Sequence, residues 1–349
     1  NGEATILNNI ASVYNDLGSN EQALKFYEQA LLLSKKVEDK SQQATTLSNI
    51  GKVHNELGDK QQALKQFNQA LLLSKKIEDK RGQAITLNNI GIVYKDLGDY
   101  QQALKFYNQA LPLHQEVEDK SGEARILSNI GGIYDSLGDK HRALTFYNRA
   151  LPLRKEVGDK SGQASTLNNI GYVYDYFGDK QRALKFYNQA LLLNREVGDK
   201  FTEAINLSNI GRVYDDLEDK QRALKLYNQA LLLNREVGDK SGEAKTLYKI
   251  AITYRDKGNF QTALSNSKAA KDIIENLRTK VDSNELRTSY FATVQNIYKL
   301  HIDILMQLHK QNRSKGYDAQ ALHASEKSRA RGLLELLTEA NADIRKDVN

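Results

Sequence analysis

The segment SGQASTLNNIGYVYDYFGDKQRALKFYNQALLLNREVGDK (161–200) nearly recurs when it is shifted by forty residues in either direction. The period runs without insertion from the first residue to about Thr279. Such a repeat constrains the fold more than any other feature. One short unit cannot bury its own apolar face and must stack on copies of itself. By length alone, 349 residues would fill two or three globular domains.

Each period holds two helical patterns. In the fifth, the first helix is predicted from about Gly162 to Phe177, with Ala164, Leu167, Ile170, Gly171, Tyr174 and Phe177 on one face. Their spacings of three, four and seven are those of a helix. Asp159 is the N-cap candidate, and Gly178 supplies the left-handed residue that ends the helix. Asp179 then caps a second helix through about Val197, whose inward face is Ala183, Leu184, Phe186, Tyr187, Ala190, Leu191 and Leu193. The turn between them is short enough to force an antiparallel hairpin. Seven such units follow one another: 1–40, 41–80, 81–120, 121–160, 161–200, 201–240 and 241–279.

Glycines in one column (Gly51, Gly91, Gly131, Gly171, Gly211) and alanines in another (Ala23 to Ala263) mark helix crossings. The rings of Tyr27, Phe67, Tyr107, Tyr147, Tyr187 and Tyr227 fill the space beside them. Irregularities carry their own expectations. His54 replaces a core Tyr, and Gln66 replaces the Phe beside its ring column. Glu218 stands where Gly ends the other first helices, which predicts an altered turn. Pro112 and Pro152 lie inside second helices and leave the carbonyls of Asn108 and Asn148 without a donor, which predicts kinks.

Composition narrows the chemistry. Two prolines and abundant Ala, Leu, Gln and Lys point to an all-helical chain. With no cysteine there is no disulfide, thiolate metal site or cysteine nucleophile, which fits a cytoplasmic setting. The six histidines are scattered without metal-ligand spacing, and the glycines sit at helix ends or crossings, not in a phosphate loop. No enzyme, cofactor or metal is therefore expected. No apolar run approaches the ~18 residues of a membrane span. The net charge of +6 arises from 50 basic and 44 acidic residues that alternate, the pattern of a solvated surface and not of a nucleic-acid binder. The chain opens partway into a repeat, without Met, so Asn1 is expected to be a cut point in a longer protein.

The order Leu167, Ile170, Gly171, Tyr174, then Ala183, Tyr187, Ala190 resembles the tetratricopeptide repeat, with Leu where that family usually has its first Trp. The forty-residue period is similar to the longer-helix variants of kinesin light chain and the LGN polarity scaffolds. The resemblance covers about 280 residues. It implies an all-α fold: a right-handed α-solenoid superhelix of helix hairpins, its first helices lining a concave groove. Residues 283–342 are predicted to form a C-terminal capping helix pair. Within it, Thr288–Lys310 (TSYFATVQNIYKLHIDILMQLHK) and Ser325–Val348 (SEKSRARGLLELLTEANADIRKDV) resemble the stretch that precedes the CHAT domain, a caspase-like peptidase domain abundant in cyanobacteria. That resemblance implies a downstream peptidase whose His and Cys lie beyond Asn349.

On the first helices, the side opposite the core is predicted to carry Asn9, Asn49, Asn89, Asn129, Asn169 and Asn209. Beside them runs a second column of Asn8, Ser48, Asn88, Ser128, Asn168 and Ser208. Asn is a poor helix-interior residue, so its recurrence needs a reason. Its amide offers donor and acceptor together and can pair with the main chain of an extended peptide; the resemblance implies this use in a groove. It can equally join neighbouring repeats and fix their stacking angle, or be a neutral residue copied by duplication.

Partner choice would lie in the variable flanking columns, one with Lys52, Ile92, Tyr172 and Arg212, the other with Lys95, Asp135, Asp175 and Asp215. The aspartates favour a basic ligand, while Arg125, Arg212 and Lys245 could hold an acidic one; alternatively the charges pair across repeats, each exposed pair worth ~0–1 kcal/mol. The function these features predict is a non-catalytic scaffold that holds a peptide or protein in the groove, as the regulatory part of a larger CHAT protein. The other reading is a self-assembling scaffold, stacking end to end or as a homodimer.

Overall fold

The computed structural model describes residues 2–278 and 284–330, and all regular structure among them is helical. Residues 1–173 form one compact unit and residues 174–349 a second. The first contains α1 (Gly2–Asp16), α2 (Asn20–Lys36), α3 (Lys40–Glu56), α4 (Lys60–Lys76), α5 (Lys80–Asp96), α6 (Tyr100–Glu116), α7 (Lys120–Ser136), α8 (Lys140–Glu156) and most of α9 (Lys160–Tyr176). The second contains α10 (Lys180–Val197), α11 (Lys200–Asp216), α12 (Lys220–Glu236), α13 (Lys240–Asp256), α14 (Phe260–Arg278), α15 (Asn284–Gln311) and helical residues 317–330. Within each unit, first helices pack along the second helix of their own hairpin (α1 on α2, α3 on α4, α5 on α6, α7 on α8, α11 on α12, α13 on α14), and α3 also meets α1 and α5, α5 meets α7, and α11 meets α13.

Local chemistry sets these boundaries. Asp39, Asp79, Asp119 and Asp239 each accept a backbone N–H three residues on, at 2.9 Å. Such a cap is worth ~1 kcal/mol. Because Asp159 caps in the same way, through Gly162 N at 2.8 Å, the first helix of the fifth repeat starts at Lys160, two residues before the sequence expectation. First helices end on left-handed residues, and the N–H of the next residue (Asp in most repeats, Ser19 and Asn259 in the first and last) reaches back five residues to close the turn.

Glu218 corrects an expectation. It adopts φ +61°, and Asp219 N still meets Tyr214 O at 2.9 Å, as Asp179 N meets Tyr174 O at 3.0 Å. The turn is unchanged, and the backbone bears the left-handed cost of ~1 kcal/mol. Glu38, Glu78 and Glu118 do the same after second helices, at φ +55°, +56° and +54°. Both helices run on through the prolines at which kinks are expected. α6 and α8 keep the 17 residues of their neighbours, because Pro112 and Pro152 face solvent and water can bond the freed carbonyls.

The core repeats with the sequence. A Cβ added to Gly91 would stand 2.5 Å from the Tyr107 ring, so only glycine admits that ring. A second ring contact crosses several hairpins: Tyr14 stacks on Phe26 at 5.3 Å, Tyr94 on Phe106 at 5.4 Å and Tyr134 on Phe146 at 5.5 Å. His54 and Gln66 therefore replace both members of one stacked pair. In the second unit, Leu300, Ile304, Leu305 and Leu308 of α15 cover Ala251 and Ala263 together with Tyr317 and Ala321. The sequence motif Ser325–Val348, with Leu333, Leu334 and Leu337, lies outside the described residues beyond 330. Among the described residues no helix is long and apolar enough to cross a membrane.

Candidate functional site

The asparagine columns do not stand clear of the packing. Asn8, Ser48, Asn88, Asn89 and Ser208 are buried, Asn89 at 8% exposure. Asn49, Asn129, Asn168, Asn169 and Asn209 are half-buried, and Asn9 is exposed. In the first unit, Asn89 Nδ2 donates to Ser48 Oγ at 3.4 Å, and Asn129 Nδ2 to Asn88 Oδ1 at 3.2 Å. Asn8 Nδ2 reaches Thr46 Oγ1 at 2.8 Å. The first two bonds each span 41 residues, so each joins one first helix to the one before it. The geometry is that of a staircase between repeats, made through side chains. An amide has two N–H donors, so one such bond leaves a second donor for other use.

The acidic column is neutralised from within. Asp135 pairs with Lys140 at 2.7 Å, and Asp215 with Lys220 at 3.3 Å. Asp175, only 5% exposed, is held by Lys180 at 2.6 Å and by the Arg212 guanidinium. Burial alone would lower the pKa of Lys180, but hydrogen bonds to Asp175 and Asp216 outweigh it and raise it. Tyr172 is 41% exposed, with the Lys140 ammonium 4.9 Å from its ring centroid. Lys52 of α3 is pushed down by desolvation and then by the Arg125 guanidinium of α7.

A cavity of about 460 Å³ opens in the second unit between α11, the start of α13 and α15. Ala204, Ile205, Tyr248 and Ile297 form apolar wall, and Ser208, Asn209, Lys245 and Lys249 bring polar groups to it. Lys249 is half-buried, and its Nζ donates to Ser208 Oγ at 2.7 Å, the staircase bond of its repeat. The Tyr227 ring centroid is 5.8 Å from the same nitrogen. Burial, followed by the charges of Arg212 and Lys245, pushes Lys249 down to about 8. Among the described residues no carboxylate pairs with Lys245 or Lys249. Asp239 borders the cavity, but its Oδ1 caps α13 through Gly242 N at 2.9 Å. Sequence reasoning singled out Lys245 and missed Lys249, although the signal was present: a cation at the one place where the asparagine column lapses, one helical turn after Lys245.

The profile described as tetratricopeptide repeat matches residues 2–76, 82–156, 143–196, 162–236 and 202–276. No curated protein matches the chain. Solved structures do. RapI in its apo form is 17% identical, over 79% of this chain and 99% of its own, with a TM-score of 0.63. A Signal Transduction ATPase with Numerous Domains from Pyrococcus horikoshii, with a tetratricopeptide repeat sensor, is 14% identical with a TM-score of 0.69; the match takes 97% of this chain but 50% of that one. The Rap conjugation gene regulator of plasmid pLS20, solved with the Phr* peptide, is 18% identical over 78% of this chain and 73% of its own, with a TM-score of 0.56. At these identities the likeness is one of fold. With consecutive helix hairpins at a forty-residue period and a family match across most of its length, the chain belongs to the tetratricopeptide repeat family.

Proposed function

We propose that the chain is a non-catalytic scaffold that holds a peptide or protein segment against its first helices, and that the second unit takes an acidic group of that ligand beside Lys245 and Lys249. The observation that carries this reading is the half-buried Lys249 on a cavity wall, bonded to Ser208 but to no carboxylate among the described residues, with Lys245 one turn away. A charge withdrawn from water without a counter-charge is costly even when a hydroxyl accepts from it, and an incoming carboxylate would offset part of that cost. Asp135, Asp175 and Asp215, by contrast, already have cations and offer little to a basic ligand. The similar Rap regulator, solved with a peptide, supports peptide capture by such a fold. The similar protein with a repeat sensor, together with the CHAT resemblance of Thr288–Lys310 and Ser325–Val348, supports a sensing role within a larger protein.

Fluorescence polarisation tests the site. A labelled random-sequence hexapeptide pool rich in Glu should bind, and its Gln counterpart should bind at least tenfold more weakly, the worth of one charge-assisted contact of about 1.5–3 kcal/mol. Lys245→Ala with Lys249→Ala should abolish the difference. Equal binding of the Glu and Gln pools to the unaltered chain would reject the acidic-ligand reading.

A further inference from the structure

The amine that completes this cavity has a second use. We propose that Lys249 is an acylation site, its Nζ taking the acyl group of a small acyl phosphate drawn into the cavity between α11, α13 and α15. The cavity, about 460 Å³, has room for a molecule of the size of acetyl phosphate beside that nitrogen. Lys245, on the same wall, supplies a cation for the phosphate, and Ala204, Ile205 and Ile297 offer apolar surface to the acyl chain. In the step itself, the Nζ lone pair attacks the acyl carbon, the bond from that carbon to the phosphate oxygen breaks, and inorganic phosphate leaves with the electron pair. The amine proton goes to solvent, and the product is a neutral amide. No further reactant is needed.

The surroundings distinguish Lys249 from its counterparts. Lys80, Lys120, Lys180 and Lys200 each touch a carboxylate, and at Lys120 and Lys180 that contact raises the pKa and holds the amine protonated. The charged groups near Lys249 are Arg212 on α11 and Lys245 on its own helix, both cations, and the wall carboxylate of Asp239, engaged in capping. Asn234 of α12 and Asn296 of α15 border the cavity without charge. Desolvation and the two cations hold Lys249 at about 8, so near pH 7.5 about a quarter of it is free amine, against roughly a thousandth for an ordinary lysine. A weaker base is a weaker nucleophile, which cancels part of this advantage and leaves about a tenfold gain.

Incubating the full chain with acetyl phosphate at pH 7.5 and following each lysine by mass spectrometry tests the proposal. Lys249 should acetylate about tenfold faster than the exposed Lys225 of the same molecule, and the ratio should fall below one as the pH rises to 10, where the exposed amines deprotonate and the weaker base keeps only its lower nucleophilicity. Lys245→Gln should slow the reaction of Lys249 with acetyl phosphate more than its reaction with uncharged N-acetylimidazole. A Lys249 no faster than Lys225, or a ratio indifferent to pH, overturns the assignment. The comparison within one molecule needs no variant to fold and does not depend on whether the cavity takes an acidic peptide. Where both hold, acylation and acidic-ligand binding exclude each other.

Discussion

At the scale of single residues, backbone conformation at the helix exits matters as much as side-chain contact. Glu78 holds φ +56° in an exposed turn where Gly158, Gly198 and Gly238 occupy the equivalent place in later repeats. Replacing Glu78→Gly removes the clash between Cβ and carbonyl but gives the unfolded chain more freedom, so the net gain should be about 0.5 kcal/mol, read as a higher urea midpoint. The same change at Glu218 should gain less, because it also removes the contact with Lys220 at 3.4 Å. A destabilised Glu78→Gly protein would mean that the Glu side chain holds something the backbone account omits. This scale also shows the limits of reading a sequence. The caps at Asp159 and Asp179 were legible because cap chemistry depends only on the next three residues. The left-handed glutamates were not, since nothing local favours them and only the stacking of the following hairpin holds them there.

At the scale of the helix, a periodic pattern identifies faces but not what covers them. The pattern marked the face of α5 with Leu87, Ile90 and Gly91 as core and set Asn88 and Asn89 on the opposite side, where the structure buries both asparagines as well. It could not show that α3 and α7 cover part of the second face, because that contact depends on how far each hairpin advances along the stack. Asn89 and Asn129 are thereby engaged in bonds to Ser48 and Asn88. Changing both to Ala removes two inter-repeat hydrogen bonds, each worth about 0.5–1.5 kcal/mol, and should lower the stability of the unliganded first unit by about 1–3 kcal/mol in denaturant titration. Asparagines that served only a peptide would leave that stability unchanged, and a null result would return the columns to ligand binding alone.

At the scale of the whole molecule, a stack of hairpins passes information only between neighbours, so a signal leaves through the last elements. α15 is placed for this. Its Asn296 and Ile297 border the cavity that holds Lys245 and Lys249, while Ile304, Leu305 and Leu308 of the same helix are set into the core beside Ala251 and Ala263. An occupant that pushes or orders Ile297 therefore acts on a helix that cannot shift without repacking that core, and discrete repacking is how small displacements at a site become large ones. In the sensing role proposed above, cleavage by a downstream CHAT domain would depend on ligand through this helix. A longer protein carrying both parts should respond to a Glu-rich peptide, and Ile297→Ala should keep most of the peptide affinity while reducing the response severalfold. A response that survives Ile297→Ala unchanged would remove α15 from the route, and the cavity would then be a place of capture without a part in transmission.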